Sequence, residues 1–195
     1  MIEKLKNFIS RLYLRFKRLT FLIASWAVLF STITILGLKI GFEYDDGISF
    51  TTPAYRQAEK YKAQISASDY WNFVNRNYKK EKIKVIPSLV CWFFKAFGFK
   101  IHIVCSRGEE GSDALVHSWR PLVNKFVFVP DTFKKYELLE KEKFFFYFAS
   151  SDEDIIQAKK AKITVIRIKR GNLSENSKPY HPGKYGEWIL PLSAF

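Results

Sequence analysis

Charged and apolar positions divide the chain sharply. From Leu19 to Leu38 ("LTFLIASWAVLFSTITILGL") no residue is charged, and twenty residues of helix reach roughly 30 Å, the thickness of a bilayer's hydrocarbon layer. Beyond Lys39 the pattern changes to short apolar runs alternating with amphipathic segments. The stretch "GLKIGFEYDDGISFTTP" (Gly37 to Pro53) reads as a buried strand that stops in a cluster of acids. "SLVCWFFKAF" (Ser88 to Phe97) has helical length with Gly98 as its stop, and "KIHIVCS" (Lys100 to Ser106) is a buried strand. "SDALVHSW" (Ser112 to Trp119) is a helix ending near Pro121, followed by the strand "KFVFVP". "TFKKYELLEKE" (Thr132 to Glu142) is a helix and "KFFFYFAS" (Lys143 to Ser150) a core strand. "SDEDIIQAKKAK" places acids in the first turn of a helix and lysines in the last, matching the helix dipole. The strand "ITVIRIKR" closes the series, and Asn172 to Gly186 is a surface loop.

Strands separated by helices of this length predict an α/β domain built on a parallel sheet with helices on both faces. Ligands in such sheets bind at the carboxyl ends of the strands. "FEYDD", "VCSR" and "FASSDED" each end a strand, so all three are expected to face one crevice.

Composition then bounds the rest. With 195 residues, 48% hydrophobic and 17% aromatic, the chain can bury one core of ordinary size. Of its net charge of +13, the first eighteen residues supply five, with Lys4, Lys6, Arg11, Arg15, Lys17 and Arg18 against Glu3. A basic arm (1–18) before an apolar span (19–38) describes a retained signal anchor with its N-terminus in the cytoplasm. The domain (39–195) then lies beyond the inner membrane, in the periplasm if the source is bacterial. A cleaved signal peptide and a buried soluble helix are the alternatives. Topology accounts for much of the charge, so the bilayer is an expected partner and nucleic acid is not.

Cys91 and Cys105 are too few for a disulfide scaffold and read as buried free thiols. His102, His117 and His181 have no metal-ligand spacing. The lysine pairs Lys79/Lys80 and Lys159/Lys160 read as solvated faces. Glu43, Asp45 and Asp46 crowd one strand end, and packed carboxylates raise one another's pKa. Such a cluster must hold a cation, take up protons or be screened by basic groups.

The order of these motifs resembles the haloacid dehalogenase superfamily, and within it the class B acid phosphatases, from about Lys39 to the C-terminus. "FEYDDGISFTTP" lines up with that family's "FDxDDTxxFSSP"-like first motif, "VCSR" with "VTGR" and "ASSDEDI" with "GDSDNDI". "IRIKR" and the Gly186–Glu187 pair extend the similarity. The resemblance implies a Rossmann-like sheet and magnesium-dependent phosphoryl transfer through an aspartyl-phosphate.

Carried over residue by residue, the resemblance places Glu43 at the nucleophile, Asp45 at the acid/base and Lys135 at the lysine that steadies phosphate. Cys105, Ser106 and Arg107 fall in the phosphate-binding motif, with Arg107 also open to capping or surface pairing. Ser150 stands where the family has a metal-binding aspartate. Glu43, Asp45, Ser150 and Asp154 therefore form a weak metal set, with magnesium expected only if the site is active. Tyr55 and Trp71 match substrate-pocket aromatics, and Ser177 replaces the third.

Departures fall on nucleophile, phosphate ligand and metal ligand, and on the turn at position 47. The extra methylene of Glu43 displaces its carboxylate by about 1.5 Å, where errors near 1 Å cost on the order of a hundredfold in rate. Gly47 replaces a threonine and is expected to loosen its turn. Cys105 exchanges a hydroxyl for a weak donor, and Ser150 removes a charge. The expectation is a degenerate phosphatase-like domain with a scaffold role in an envelope complex, bound to a protein partner or to further copies of itself. An active magnesium-dependent phosphomonoesterase is the alternative.

Overall fold

The computed structural model describes residues 2–64 and 66–194. A single helix, α1 (Ile2–Leu36), contains the basic arm and most of the apolar stretch without a break. It ends because Gly37 adopts a left-handed φ of 62°. Gly37 N donates to Thr34 O at 3.1 Å and Leu38 N to Ile33 O at 3.3 Å, the paired bonds of a Schellman C-cap. Leu19, Phe21, Leu22, Ile23 and Val28 are exposed on this helix. That exposure is not how a core helix of a soluble domain behaves; Ile9–Leu36 is long and apolar enough to cross a membrane.

One residue after the cap the chain enters β1 (Lys39–Glu43). It continues through β2 (Ser49–Phe50), α2 (Thr52–Glu59), α3 (Ala67–Arg76), β3 (Lys82–Ile83), α4 (Val85–Ala96) and β4 (Lys100–Cys105). Then follow α5 (Asp113–Trp119), β5 (Lys125–Phe128), α6 (Thr132–Glu142), β6 (Phe146–Ala149), α7 (Asp152–Lys160), β7 (Thr164–Arg167) and β8 (Trp188–Ile189). Six strands form one parallel sheet in the order β5-β4-β1-β6-β7-β8. The acid-ending strand β1 is therefore central, with Phe42 opposite Ile103 on one side and Phe148 on the other.

Apolar side chains alternate between the two faces of the sheet. Ile40, Phe42, Ile103 and Phe148 pack with Cys91 of α4 and with Leu115 and Trp119 of α5. Tyr147, Val104 and Val165 pack on the other face with Leu139 of α6 and with Ile155 and Ala158 of α7. Phe42 and Phe148 stack at 4.6 Å. Both cysteines are buried and unbonded.

Several boundaries differ from the sequence pattern. The strand expected from Lys143 starts at Phe146, because Lys143 takes a left-handed φ of 50° at the end of α6. Phe144 turns inward while Phe145 is half exposed, so the aromatic run is not core throughout. The last central strand is confined to Thr164–Arg167. The helices α2 and α3, the β2–β3 pair and the edge strand β8 were not anticipated. These last elements matter, because α2, α3 and the loop after β7 wall in the carboxyl edge of the sheet.

Candidate active site

At the carboxyl end of β1, Glu43, Asp45 and Asp46 are all buried. The turn that carries them is tight, contrary to the loosening expected from Gly47. Ile48 N donates to Glu43 O at 2.9 Å, and a Cβ on Gly47 would lie only 2.1 Å from that same carbonyl. Glycine is required here by close backbone approach.

The three carboxylates of the predicted chemistry each find a different partner. Asp45 Oδ1 accepts from Arg107 Nε at 2.8 Å and from the Tyr55 hydroxyl at 3.2 Å. Its Oδ2 accepts from Ser106 N at 3.2 Å and from Cys105 Sγ at 3.4 Å. Burial works to raise the Asp45 pKa, but the guanidinium beside it overrides that and holds the carboxyl below its usual range. Cys105 is a neutral thiol, pushed up by burial and by the Asp45 charge.

Arg107 is not a surface residue, and the expectation of a cap, surface pair or free anion ligand is corrected. It is fully buried. Its Nη2 donates to Glu81 Oε1 at 2.7 Å, and its plane lies 5.1 Å from the Tyr44 ring and 4.9 Å from the Tyr55 ring. Tyr44 in turn hydrogen-bonds Glu81, and Asn75 ties α3 to the Gly108 and Glu110 carbonyls. The guanidinium is consumed by internal carboxylates.

Glu43 Oε2 accepts from Ser150 N at 2.5 Å, from Ser150 Oγ at 3.0 Å and from Ser151 N at 3.3 Å. Its Oε1 is buried without a partner when the group is a carboxylate. Burial, followed by the negative charge of Asp154, pushes the Glu43 pKa up to about 8. When protonated, Glu43 has a proton to offer the neighbouring Asp154, whose negative charge is one cause of the rise. Asp154 stays ionised: burial opposes this, but Lys135 lies at 2.6 Å and prevails.

Lys135 Nζ also donates to Ser106 Oγ at 2.9 Å. A second ammonium reaches the same hydroxyl, since Lys178 Nζ lies 3.2 Å from Ser106 Oγ. Lys178 and Glu81 are site residues that the motifs did not reveal. Lys178 follows the noted Ser177 by one residue in a loop without periodicity. The loop is tied across the site by Arg56, whose Nε donates to Glu175 at 2.7 Å, and by Ser174, which donates to Asp46 at 2.5 Å. Tyr55 and Trp71 meet edge to face at 6.3 Å and line a cavity of about 380 Å³ with Asp45, Ser106, Ser177 and Lys178. Behind the site, Arg167 holds Asp152 at 2.9 Å, Glu187 at 2.5 Å and the Ser150 carbonyl at 2.9 Å.

Magnesium needs an octahedron of oxygens with lone pairs to spare. Glu43 Oε2 is taken up by Ser150 and Ser151, Asp45 is committed to Arg107, Asp154 is paired with Lys135, and Ser150 offers a neutral hydroxyl. Among the described residues no group of three or more His, Cys, Asp or Glu side chains is arranged to hold a metal ion. The donor set as arranged does not fit a resident magnesium ion.

Comparison with known proteins agrees with the motif order. The chain is 26% identical over 169 residues to a class B acid phosphatase of Haemophilus parainfluenzae, covering 78% of this chain and 72% of that protein. It is 25% identical over 174 residues to the class B acid phosphatase of Aggregatibacter actinomycetemcomitans, covering 81% and 74%. No family model matches. Among solved structures, CbbY from Rhodobacter sphaeroides superimposes with a TM-score of 0.59 at 10% identity, over 80% of this chain and 94% of that one. A predicted phosphoglycolate phosphatase from Haemophilus somnus gives 0.55 at 14% identity, over 80% and 94%. At such identities these structures establish the fold alone.

Proposed function

We propose, for a chain that is haloacid-dehalogenase-like in fold and class-B-acid-phosphatase-like in sequence, a membrane-anchored domain that recognises anionic phosphate groups but has lost most of the hydrolytic chemistry. Its role is structural, as a scaffold component of an envelope complex, with the N-terminus cytoplasmic and the domain on the periplasmic side of the inner membrane. The observation that carries this reading is internal charge compensation. Arg107 is clamped on Asp45 and Lys135 on Asp154, and Glu43 is buried on the Ser150 and Ser151 donors, so the carboxylates that phosphoryl transfer would need free are already engaged. An acid that is protonated at neutral pH is a poor nucleophile, and an aspartate clamped by a guanidinium gives up its lone pairs poorly as a base.

A second reading, an active magnesium-dependent phosphomonoesterase, is favoured by Asp45, Lys135 and the aromatic wall of Tyr55 and Trp71, all of which lie around one crevice. Phosphate release from an aryl phosphate with magnesium, measured on the full chain in detergent, separates the two. The scaffold reading expects no turnover from the parent and new turnover from a Glu43→Asp, Ser150→Asp double variant. Turnover by the parent that disappears in Asp45→Asn would establish the enzyme reading instead.

A further inference from the structure

The edge of the sheet opposite the crevice carries a surface that neither the anchor nor the pocket explains. Each of five parallel strands is entered through a lysine there: Lys39, Lys100 and Lys125 open β1, β4 and β5, while Lys143 and Lys162 precede β6 and β7. Glu142 pairs with Lys39 and Lys125 at 2.6 and 2.8 Å. Lys100, Lys143 and Lys162 have no carboxylate partner among the described residues.

Aromatic rings run between these lysines. Phe93 and Phe97 lie 4.7 Å apart, Phe94 and Phe99 5.2 Å, and Phe99 and Phe145 6.1 Å. Phe93 is 57% exposed and Phe145 50%. A continuous aromatic band whose outer rings Phe93 and Phe145 are at least half exposed, set among lysines without a carboxylate partner, has the composition of a membrane-interface belt.

Its position relative to α1 supplies the occupant. Only Leu38 separates the Schellman cap at Gly37 from β1, so the sheet follows the helix with almost no linker. Gly98, at the end of α4, packs against the side of α1. A Cβ there would lie 2.6 Å from Thr34 Oγ1 and 3.0 Å from the Phe30 carbonyl. Phe30 is six residues, about 9 Å of helix, before the end of α1. The turn between Phe97 and Phe99 is therefore level with the last part of the apolar span, not above it.

We infer that this underside is a second membrane-binding element: Phe93, Phe97, Phe99 and Phe145 sit among the headgroups and upper acyl chains, and Lys100, Lys143 and Lys162 engage anionic phospholipid. The domain then lies on the bilayer with its crevice facing away from it. This rests on the reading of α1 as a membrane anchor. The aromatic belt supplies apolar area at the interface and the lysines electrostatic attraction, the two contributions that add in surface-bound segments.

The test uses the full chain in nanodiscs with an environment-sensitive fluorophore on single introduced cysteines; Cys91 and Cys105 are buried and do not compete for label. Position 145 (Phe145→Cys) reports the underside, and Lys143→Cys serves as a second site there. Val28→Cys reports the span, and Glu109→Cys the opposite edge. Quenching by spin-labelled lipid is expected to be about threefold or more stronger at 145 than at 109, and stronger with phosphatidylglycerol than with phosphatidylcholine alone. A Lys143→Glu, Lys162→Glu pair should remove that lipid preference.

Iodide access at 145 equal to that at 109, with position 28 quenched by lipid, overturns the inference and leaves the anchor intact. Shielding at 145 without lipid quenching identifies a second copy of the chain as the cover, and also overturns it. If position 28 is not quenched by lipid, the anchor reading falls and this inference with it.

Discussion

Arg107 and Asp45 form a fully buried ion pair, Nε to Oδ1 at 2.8 Å, at the one position where a phosphatase-like crevice would need its aspartate free. The same guanidinium reaches Glu81 at 2.7 Å and covers two tyrosine rings. One cation thus organises β1, β4 and the turn after α3. Its removal would strand two buried carboxylates, a loss far larger than that of an exposed pair.

Arg107→Ala is therefore expected to destabilise the chain by about 3–5 kcal/mol, the scale for deleting one partner of a buried pair. Arg107→Lys should recover only part, since an ammonium cannot present the two-pronged donor set. Thermal unfolding of the full chain in detergent measures both. A melting temperature for Arg107→Ala within about 2 °C of the parent, less than about 1 kcal/mol at this size, would mean the pair carries no stability.

Glu43→Gln should be nearly neutral at pH 7. The amide keeps an acceptor for Ser150 and Ser151 and gains N–H groups that can donate toward Asp154 in place of an acid proton. The parent's pH dependence follows from the direction of the shift, which is upward from 4.5 to about 8 because of burial and Asp154. The folded state then binds a proton that the unfolded state has lost. Stability from this group is full below 4.5, declines as pH rises, and is gone above about 8. Melts at pH 5, 7 and 9 should show a steeper decline for the parent than for Glu43→Gln; parallel curves would show that Glu43 is ionised in the folded state.

What could be read before folding were the features written in short stretches. Glu43 to Asp46, Lys135 and Ser150 to Asp154 punctuate strand or helix ends, and a parallel sheet brings such ends together whatever lies between them. The buried runs of β1 and β4 identified themselves by length and apolarity. The burial of Arg107 is not legible in the sequence, because its partner Glu81 lies in a turn with no periodic signal and meets it only through the packing of α3. Lys178 was missed for the same reason. Phe145 reads as core from sequence because a run of aromatics does not reveal where a left-handed residue, here Lys143, turns the chain.

The two ammonium groups on Ser106 should make the crevice an anion site even without turnover. Inorganic phosphate is expected to bind, with tryptophan emission quenched through Trp71 and the response lost in Trp71→Phe. Lys178→Gln should weaken binding about tenfold, roughly 1.4 kcal/mol, because Lys135 remains but is shared with Asp154 at 2.6 Å. Equal affinity in parent and Lys178→Gln, by titration at fixed ionic strength, would remove Lys178 from the site.

Gly47 limits how the family's pattern could be restored. The added Cβ of Gly47→Ala would sit 2.1 Å from the Glu43 carbonyl, backbone that cannot move without disturbing the acid it carries. A loss above about 4 kcal/mol, or failure to fold, is expected. Gly186→Ala is the control, because there the left-handed φ of 66° is the only obstacle and nothing lies within 4 Å; its cost should be about 1 kcal/mol. A Gly47→Ala chain that melts like the Gly186→Ala chain would mean that the turn can open. Restoring a threonine at position 47 would then join Glu43→Asp and Ser150→Asp as a step toward turnover.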